Sequence, residues 1–216
     1  HALLPACRAS KQAVGSPTSL SASKLAILDN THVGILAFEN GTSLSLDGAL
    51  IARSRPAPII IPGNVPGGIG LLAGIGPVAT VTQSAFVDLI ESGVSVVAGE
   101  LNLSQSVISE VKAGEDERFG DGVLANEGSV ATLRMVASVR NARAGFLVNG
   151  SAGSLSQSLA RDNTLGLVTQ GAHPTEPLSI GDDNIIMSNA QDLMSDQALA
   201  VPNLSMETPS MPLPTP

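Results

Sequence analysis

The residues with the clearest chemical potential surround Ser151. The segment from Ala144 to Ser154 reads AGFLVNGSAGS, in which a short apolar run ends at a turn of small residues. A segment with helical spacing at Leu155 and Leu159 follows directly. A strand that ends in a serine between small residues and leads into a helix is the geometry of a nucleophile elbow. The pattern therefore predicts Ser151 as a nucleophile for acyl transfer.

The elements that must hold such a serine can be read from the spacing of apolar residues. Asn40-Gly41 lies between two alternating runs, which predicts a β-hairpin over 32–52. A buried strand with three isoleucines, a glycine-rich loop, a helix over 83–92 and a strand over 94–101 are expected next. Further predicted elements are a surface excursion over 104–127, helices at 129–141, 155–162 and 189–194, and strands at 165–169 and 178–180. No internal repeat is predicted.

In this order, the segments from about 32 to about 202 resemble the α/β-hydrolase family. Residues 57–68 (APIIIPGNVPGG) look like the strand that leads into the oxyanion loop, and residues 148–153 (VNGSAG) lie where the elbow belongs. The hairpin-first layout is most similar to small dienelactone-hydrolase-like members and esterases. The resemblance implies an α/β fold with a mostly parallel central sheet and helices on both faces. A mainly β sandwich is the alternative.

The resemblance also implies roles for individual residues. Ser151 would be the nucleophile, and the backbone N–H of Ala152 would be one oxyanion donor, with the second from Gly63 or Asn64. Asp183, or its neighbour Asp182, would orient a histidine.

The histidine of such a triad is not at the place that the family uses. His173 follows the strand after the elbow, and it is the candidate base. The elbow pattern also has Asn149 where the family has its first glycine. Because serine without a base is a poor nucleophile, a hydrolase fold without catalysis is a further possibility.

Composition limits the partners that the chain can have. The net charge is −8, and the eleven Lys and Arg are scattered, so nucleic-acid binding is not expected. Cys7 is the only cysteine, which excludes an internal disulfide and a multi-cysteine zinc site. No metal or cofactor is expected. An uncharged run over 57–87 contains four prolines and many glycines, which argues against a membrane-spanning helix.

Two classes of function therefore remain open. The first is a serine hydrolase for an ester or related acyl substrate, and the second is a non-enzymatic structural or assembly protein. The β alternative makes 129–139 a strand, whereas the hydrolase interpretation makes it a helix. In either case the expected organisation is an irregular arm over 1–22, one domain over 23–202 and a proline-rich tail over 203–216, with the cytoplasm slightly favoured as compartment.

Overall fold

The computed structural model describes residues 7–9, 18–56, 67–114, 119–171, 177–195 and 199–201, and every regular element within them is a β-strand. The strands, numbered β1 to β22 along the chain, form three parallel sheets that we call A, B and C. Sheet A contains β1 (Cys7–Ala9), β4 (Val33–Phe38), β7 (Ile69–Gly74), β10 (Ser92–Val97), β13 (Asp121–Asn126), β16 (Ala144–Asn149), β19 (Leu165–Gln170) and β22 (Gln191–Ser195). Sheet B contains β2 (Thr18–Ser23), β5 (Thr42–Asp47), β8 (Val78–Thr82), β11 (Glu100–Ser104), β14 (Val130–Arg134), β17 (Ala152–Ser156) and β20 (Leu178–Ile180). Sheet C contains β3 (Ala26–Leu28), β6 (Leu50–Ala52), β9 (Ala85–Val87), β12 (Val107–Ser109), β15 (Ala137–Val139), β18 (Leu159–Arg161) and β21 (Ile185–Met187).

The chain visits the sheets in the fixed order A, B, C, so that each passage forms one coil of a parallel β-solenoid. Coil 1 contains β1–β3, coil 7 contains β19–β21, and β22 begins an eighth passage. Paired residues in successive coils are 21–24 positions apart where no longer connection intervenes, as for Ala79 and Leu101. Longer connections in the sequence link consecutive strands at 10–17, 53–68, 110–120 and 171–177. We call the three turns of each coil the A–B, B–C and C–A corners.

The interior is filled by ladders of aliphatic side chains that stack from coil to coil. In sheet A one ladder consists of residues that are at most 2% exposed: Ile35, Leu71, Val94, Val123, Phe146 and Leu167. Burial of each such side chain stabilises the fold by about 1.5–3 kcal/mol. Sheet B shows strict alternation, with every second residue of β5 buried. Sheet A is buried on both faces, as the pattern of β7, β10 and β13 shows.

A column of glycines runs along the second position of the sheet A strands. It comprises Gly34, Gly70, Gly93, Gly122, Gly145 and Gly166. A Cβ at Gly122 would lie 2.7 Å from the carbonyl oxygen of Gly145 and 2.8 Å from Nδ2 of Asn141. The Cβ would also overlap Oγ of Ser138 in β15 of sheet C. Positions in this column therefore require glycine because there is no space for a Cβ, and not because of a positive φ.

The structure overturns the expected α/β-hydrolase fold. A central sheet with helices on both faces is not present in the described ranges, since no helix occurs there. Predicted helices are strands joined by corners: 83–92 contains β9, 129–141 contains β14 and β15, 155–162 contains the end of β17 and β18, and 189–194 lies largely in β22. No helix that could cross a bilayer occurs in the described ranges either. The β-sandwich alternative is also wrong, because the strands form three parallel sheets in a solenoid.

Other sequence predictions have mixed outcomes. The strands expected at 165–169 and 178–180 are confirmed as β19 and β20. The hairpin expected over 32–52 is wrong, because β4 and β5 lie in different sheets and Asn40-Gly41 forms an A–B corner. The triple isoleucine at 59–61 lies outside the described residues. The boundaries of arm, domain and tail stay a prediction, although β1 and β2 already belong to sheets A and B.

Candidate functional site

Ser151 lies at the A–B corner of coil 6, directly before β17. Its side chain is 4% exposed, and its hydroxyl donates a 3.0 Å hydrogen bond to the carbonyl oxygen of Asn149. Ser129 occupies the same corner one coil earlier and likewise donates to a carbonyl, that of Asn126. The turn predicted after the apolar run is present, but a strand follows it instead of a helix. The nucleophile-elbow assignment is therefore wrong, because that geometry requires a helix after the serine.

The predicted oxyanion donors are not assembled around Ser151 in the described ranges. The backbone N–H of Ala152 donates to the carbonyl oxygen of Ser129 at 2.9 Å, as part of the contact between coils. The equivalent N–H of Val130 donates to Gly99 in the same way. Gly63 and Asn64 lie outside the described residues. The N–H of Ala152 thus binds a carbonyl oxygen of the neighbouring coil.

The predicted triad acid lies at a different corner of the solenoid. Asp183 belongs to the B–C corner of coil 7, where its Oδ1 accepts a 3.0 Å hydrogen bond from the N–H of Gln157. Asp182 beside it is exposed. Ser151 precedes β17 and Asp183 follows β20, so the length of a sheet B strand, roughly 15 Å, separates them. His173 lies outside the described residues, and its role as a base stays a prediction.

A ladder of asparagines, which the sequence pattern alone did not indicate, crosses the C–A corners of the last coils. Oδ1 of Asn163 accepts hydrogen bonds from the N–H and Nδ2 of Asn141, at 2.9 and 3.0 Å. Oδ1 of Asn189 does the same for the N–H and Nδ2 of Asn163. Asp192 ends the ladder, because its Oδ1 accepts from the N–H and Nδ2 of Asn189. The ladder satisfies buried backbone donors that a turn would otherwise leave without partners.

Charged side chains on the outer surface of the C–A corners form ion pairs between successive coils. Arg53 pairs with Asp29 at 2.6 Å, and Asp88 accepts from both Arg55 and Lys112 at 2.7 and 2.6 Å. The hydrogen bonds from Lys112 and Arg55 lower the pKa of Asp88 below its usual value. These pairs are largely solvent-exposed, so each contributes at most about 1 kcal/mol.

A shallow groove of about 460 Å³ follows this line of charges along coils 4 to 7. Its walls include the ion pair between Glu110 and Arg140, which are 3.0 Å apart, and the hydroxyl-bearing Thr164. That hydroxyl already donates to the carbonyl oxygen of Ala142 at 2.7 Å. Within the described ranges, no three His, Cys, Asp or Glu side chains converge on a point where they could hold a metal ion. Because opposite charges lie side by side in the groove, it favours neither an anionic nor a cationic ligand.

The segment 199–201 packs on the outer face of sheet A. Gln170 exchanges two hydrogen bonds with the backbone of Leu199, at 2.7 and 2.9 Å. Arg143 donates to the carbonyl oxygen of Ala200 and forms a paired hydrogen bond with Asp121, which is 1% exposed on its side chain. Burial raises the pKa of Asp121, and the hydrogen bonds from Arg143 act against this effect. The buried pair thus holds Ala200 against the outer face of sheet A.

The residues predicted to do chemistry are therefore not brought together in the described part of the chain, and the side chains that the fold does bring together are structural ladders.

Comparison of this chain with known protein families, with curated proteins and with solved structures finds no match.

Proposed function

We propose that this chain is a non-enzymatic structural module, a β-solenoid shaft that holds other parts of an assembly at a fixed spacing. The observation that carries the proposal is the continuity of the three sheets through seven stacked coils. At about 4.8 Å per coil, such a stack extends for roughly 30 Å. The strands of successive coils pair in register so that their inward side chains form continuous ladders, which is the organisation of a solenoid in which each coil contacts only its neighbours.

The hydrogen bonds around Ser151 support the same function. The hydroxyl of Ser151 and the N–H of Ala152, which an acyl-transfer enzyme would need for its substrate, serve contacts within and between coils. The corresponding corner of coil 5 has the same pair of contacts at Ser129 and Val130. A feature that is repeated in successive coils is explained by stacking and needs no catalytic role.

A fluorophosphonate probe tests the proposal against the serine-hydrolase alternative. We expect no labelling of the folded protein, because the hydroxyl of Ser151 is buried and hydrogen-bonded. Ser151→Ala is expected to cost about 1 kcal/mol of folding free energy through the lost hydrogen bond. The matched control is Ser129→Ala, with a cost of similar size. Labelling that disappears in Ser151→Ala and persists in Ser129→Ala would overturn the shaft proposal in favour of an enzyme.

A further inference from the structure

The outer face of sheet C is apolar along all seven coils. The middle residue of each strand points into the core, so the first and last residues of each strand point outward. Only two of these outward residues, Ser109 and Arg161, are polar. Half of the large apolar side chains that are exposed in the described ranges lie on this face: Leu28, Leu50, Val107, Ile185 and Met187. A contiguous apolar face of this kind indicates contact with another molecule.

The outward residues of sheet C differ in size in a regular way. Coils 1 to 5 each have one small and one larger residue on this face, and β9 and β15 have alanine first and valine last. The other three pairs are Ala26 and Leu28, Leu50 and Ala52, and Val107 and Ser109. In coil 4, for example, Val107 is 44% exposed and Ser109 is 7% exposed. The larger residue therefore forms a projection and the smaller one a hollow, about 7 Å apart along the strand.

We propose that two copies of this chain pack side by side through sheet C, with a two-fold axis parallel to the solenoid axis. This axis places each coil opposite the same coil of the other copy and reverses the strand direction. Val107 would then lie over Ser109 of the other copy, so that projections fit into hollows through coils 1 to 5. A pair with the coils in reverse order would instead oppose Leu50 to Leu159, and Glu110 to Glu110 of the other copy. Size and charge therefore favour the parallel pair.

The corners on either side of sheet C are also complementary in this arrangement. Lys24 at the B–C corner of coil 1 would lie opposite Asp29 at the C–A corner of the other copy. Gln105 would lie opposite Glu110 in the same way, and coils 3 and 6 likewise have glutamine at the first corner and aspartate at the second. No like charges face each other at these positions. The two-fold axis forms each of these contacts twice.

The size of the face fits a weak dimer. Seven strands at about 4.8 Å each and a width of about 15 Å give roughly 500 Å² in each copy. This area is at the small end of specific interfaces, so we expect the dimer to form only as the protein concentration rises. Because both copies use the same surface, the contact closes on itself and produces no larger assembly. The contact does not depend on the shaft function, since an enzyme with this fold could pair in the same way.

Sedimentation velocity of the full chain over a series of protein concentrations tests this contact. We expect a monomer–dimer equilibrium without growth past the dimer. Leu50→Ser combined with Val107→Ser should raise the dissociation constant at least tenfold, because less apolar surface is buried. The matched control is Val78→Ser combined with Val130→Ser, which removes equally exposed side chains from the outer face of sheet B. This control should leave the dissociation constant unchanged.

Ser109→Val tests the parallel arrangement. Val87 and Val139 hold this position in the adjacent coils, so the fold accepts valine there. Although the variant adds apolar surface, we expect the dissociation constant to rise about tenfold, because Val107 of the other copy loses its hollow. Combination with Val107→Ser should restore association, because projection and hollow then exchange places. Circular dichroism of each variant confirms that the fold is retained.

Several outcomes would overturn the proposed contact. They are a protein that stays monomeric at every concentration, growth past the dimer, and equal weakening by the sheet B control. Stronger association of Ser109→Val would show that the small residues face each other, which contradicts the parallel pair. None of these results affects the shaft proposal, which the fluorophosphonate experiment tests.

Discussion

Replacement of Asn163 by alanine is expected to lower the free energy of unfolding by about 4 kcal/mol. Asn163 is 5% exposed, and its Oδ1 accepts hydrogen bonds from the N–H and Nδ2 of Asn141. Its Nδ2 donates to the carbonyl oxygen of Ser138 and to Oδ1 of Asn189. Alanine would leave the buried N–H of Asn141 without this partner, which costs about 1–3 kcal/mol, and would remove three further hydrogen bonds at about 1 kcal/mol each. Nδ2 of Asn141 would keep its bond to Oγ of Ser138, and Oδ1 of Asn189 its bond from the N–H of residue 163. Urea unfolding monitored by circular dichroism measures the change.

The control for this variant is Asn102→Ala on the outer face of sheet B. Asn102 is half-exposed, and its side chain donates one hydrogen bond to Glu100, at 2.8 Å. We expect its replacement to change the free energy of unfolding by less than about 0.5 kcal/mol. If both asparagine variants had similar, small effects, the ladder at the C–A corners would not stabilise the solenoid.

Replacement of Gly122 by alanine is expected to lower the free energy of unfolding by about 3 kcal/mol. The added Cβ would lie 2.7 Å from the carbonyl oxygen of Gly145 and 2.8 Å from Nδ2 of Asn141. The added Cβ would also overlap Oγ of Ser138 in β15, and a backbone oxygen cannot move away without displacing the next coil, so β13 must move away locally from β15 and β16. Thermal and urea unfolding should both show the loss.

The matched variant is Gly128→Ala at an A–B corner. Gly128 has φ +73°, and no heavy atom lies within 4 Å of the place that a Cβ would occupy, so alanine there meets backbone strain but no clash. The expected cost is about 1 kcal/mol. A larger loss at Gly128 than at Gly122 would contradict the close approach of coils along the glycine column.

The predicted helices are wrong because inward-pointing residues on either side of a corner have the spacing of residues on one face of a helix. Phe86 in β9 points inward, Asp88 adopts a positive φ at the corner that follows, and Leu89 points inward again. The inward residues are therefore three positions apart, as on one face of a helix. Leu133 and Val136 show the same spacing across a B–C corner. A periodicity of two that is interrupted at each corner cannot be distinguished from a helix over a window of ten residues.

The prediction that the chain has no internal repeat was also wrong. Gly70 and Gly93 are 23 positions apart, as are Gly122 and Gly145, and each follows the first residue of a sheet A strand. Aligning these glycines would have revealed the coils. The excursions at 53–68 and 110–120 hide the repeat, because they lengthen two of the intervals.

The turn at Ser151 could be predicted from the sequence, whereas its chemistry could not. Small residues around Ser151 correctly indicate a tight corner after an apolar strand. The same composition suits a catalytic elbow and a corner between two sheets, since both require close backbone approach. The two differ in the element that follows the turn, which is a helix in an elbow and a strand in a corner. The sequence predicts a helix over 155–162, where the structure has the end of β17 and β18.

Distances between spin labels along the outer face of sheet B test the solenoid most directly. Ser21, Thr132, Ser154 and Ser179 lie in one register column, in coils 1, 5, 6 and 7. With Cys7 replaced by serine, pairs of labelled cysteines at Ser21 and each of the other positions should give about 19, 24 and 29 Å, one strand spacing per coil. Distances that do not increase in equal steps, or that shorten between Thr132 and Ser179, would contradict the stacked coils on which the proposed shaft depends.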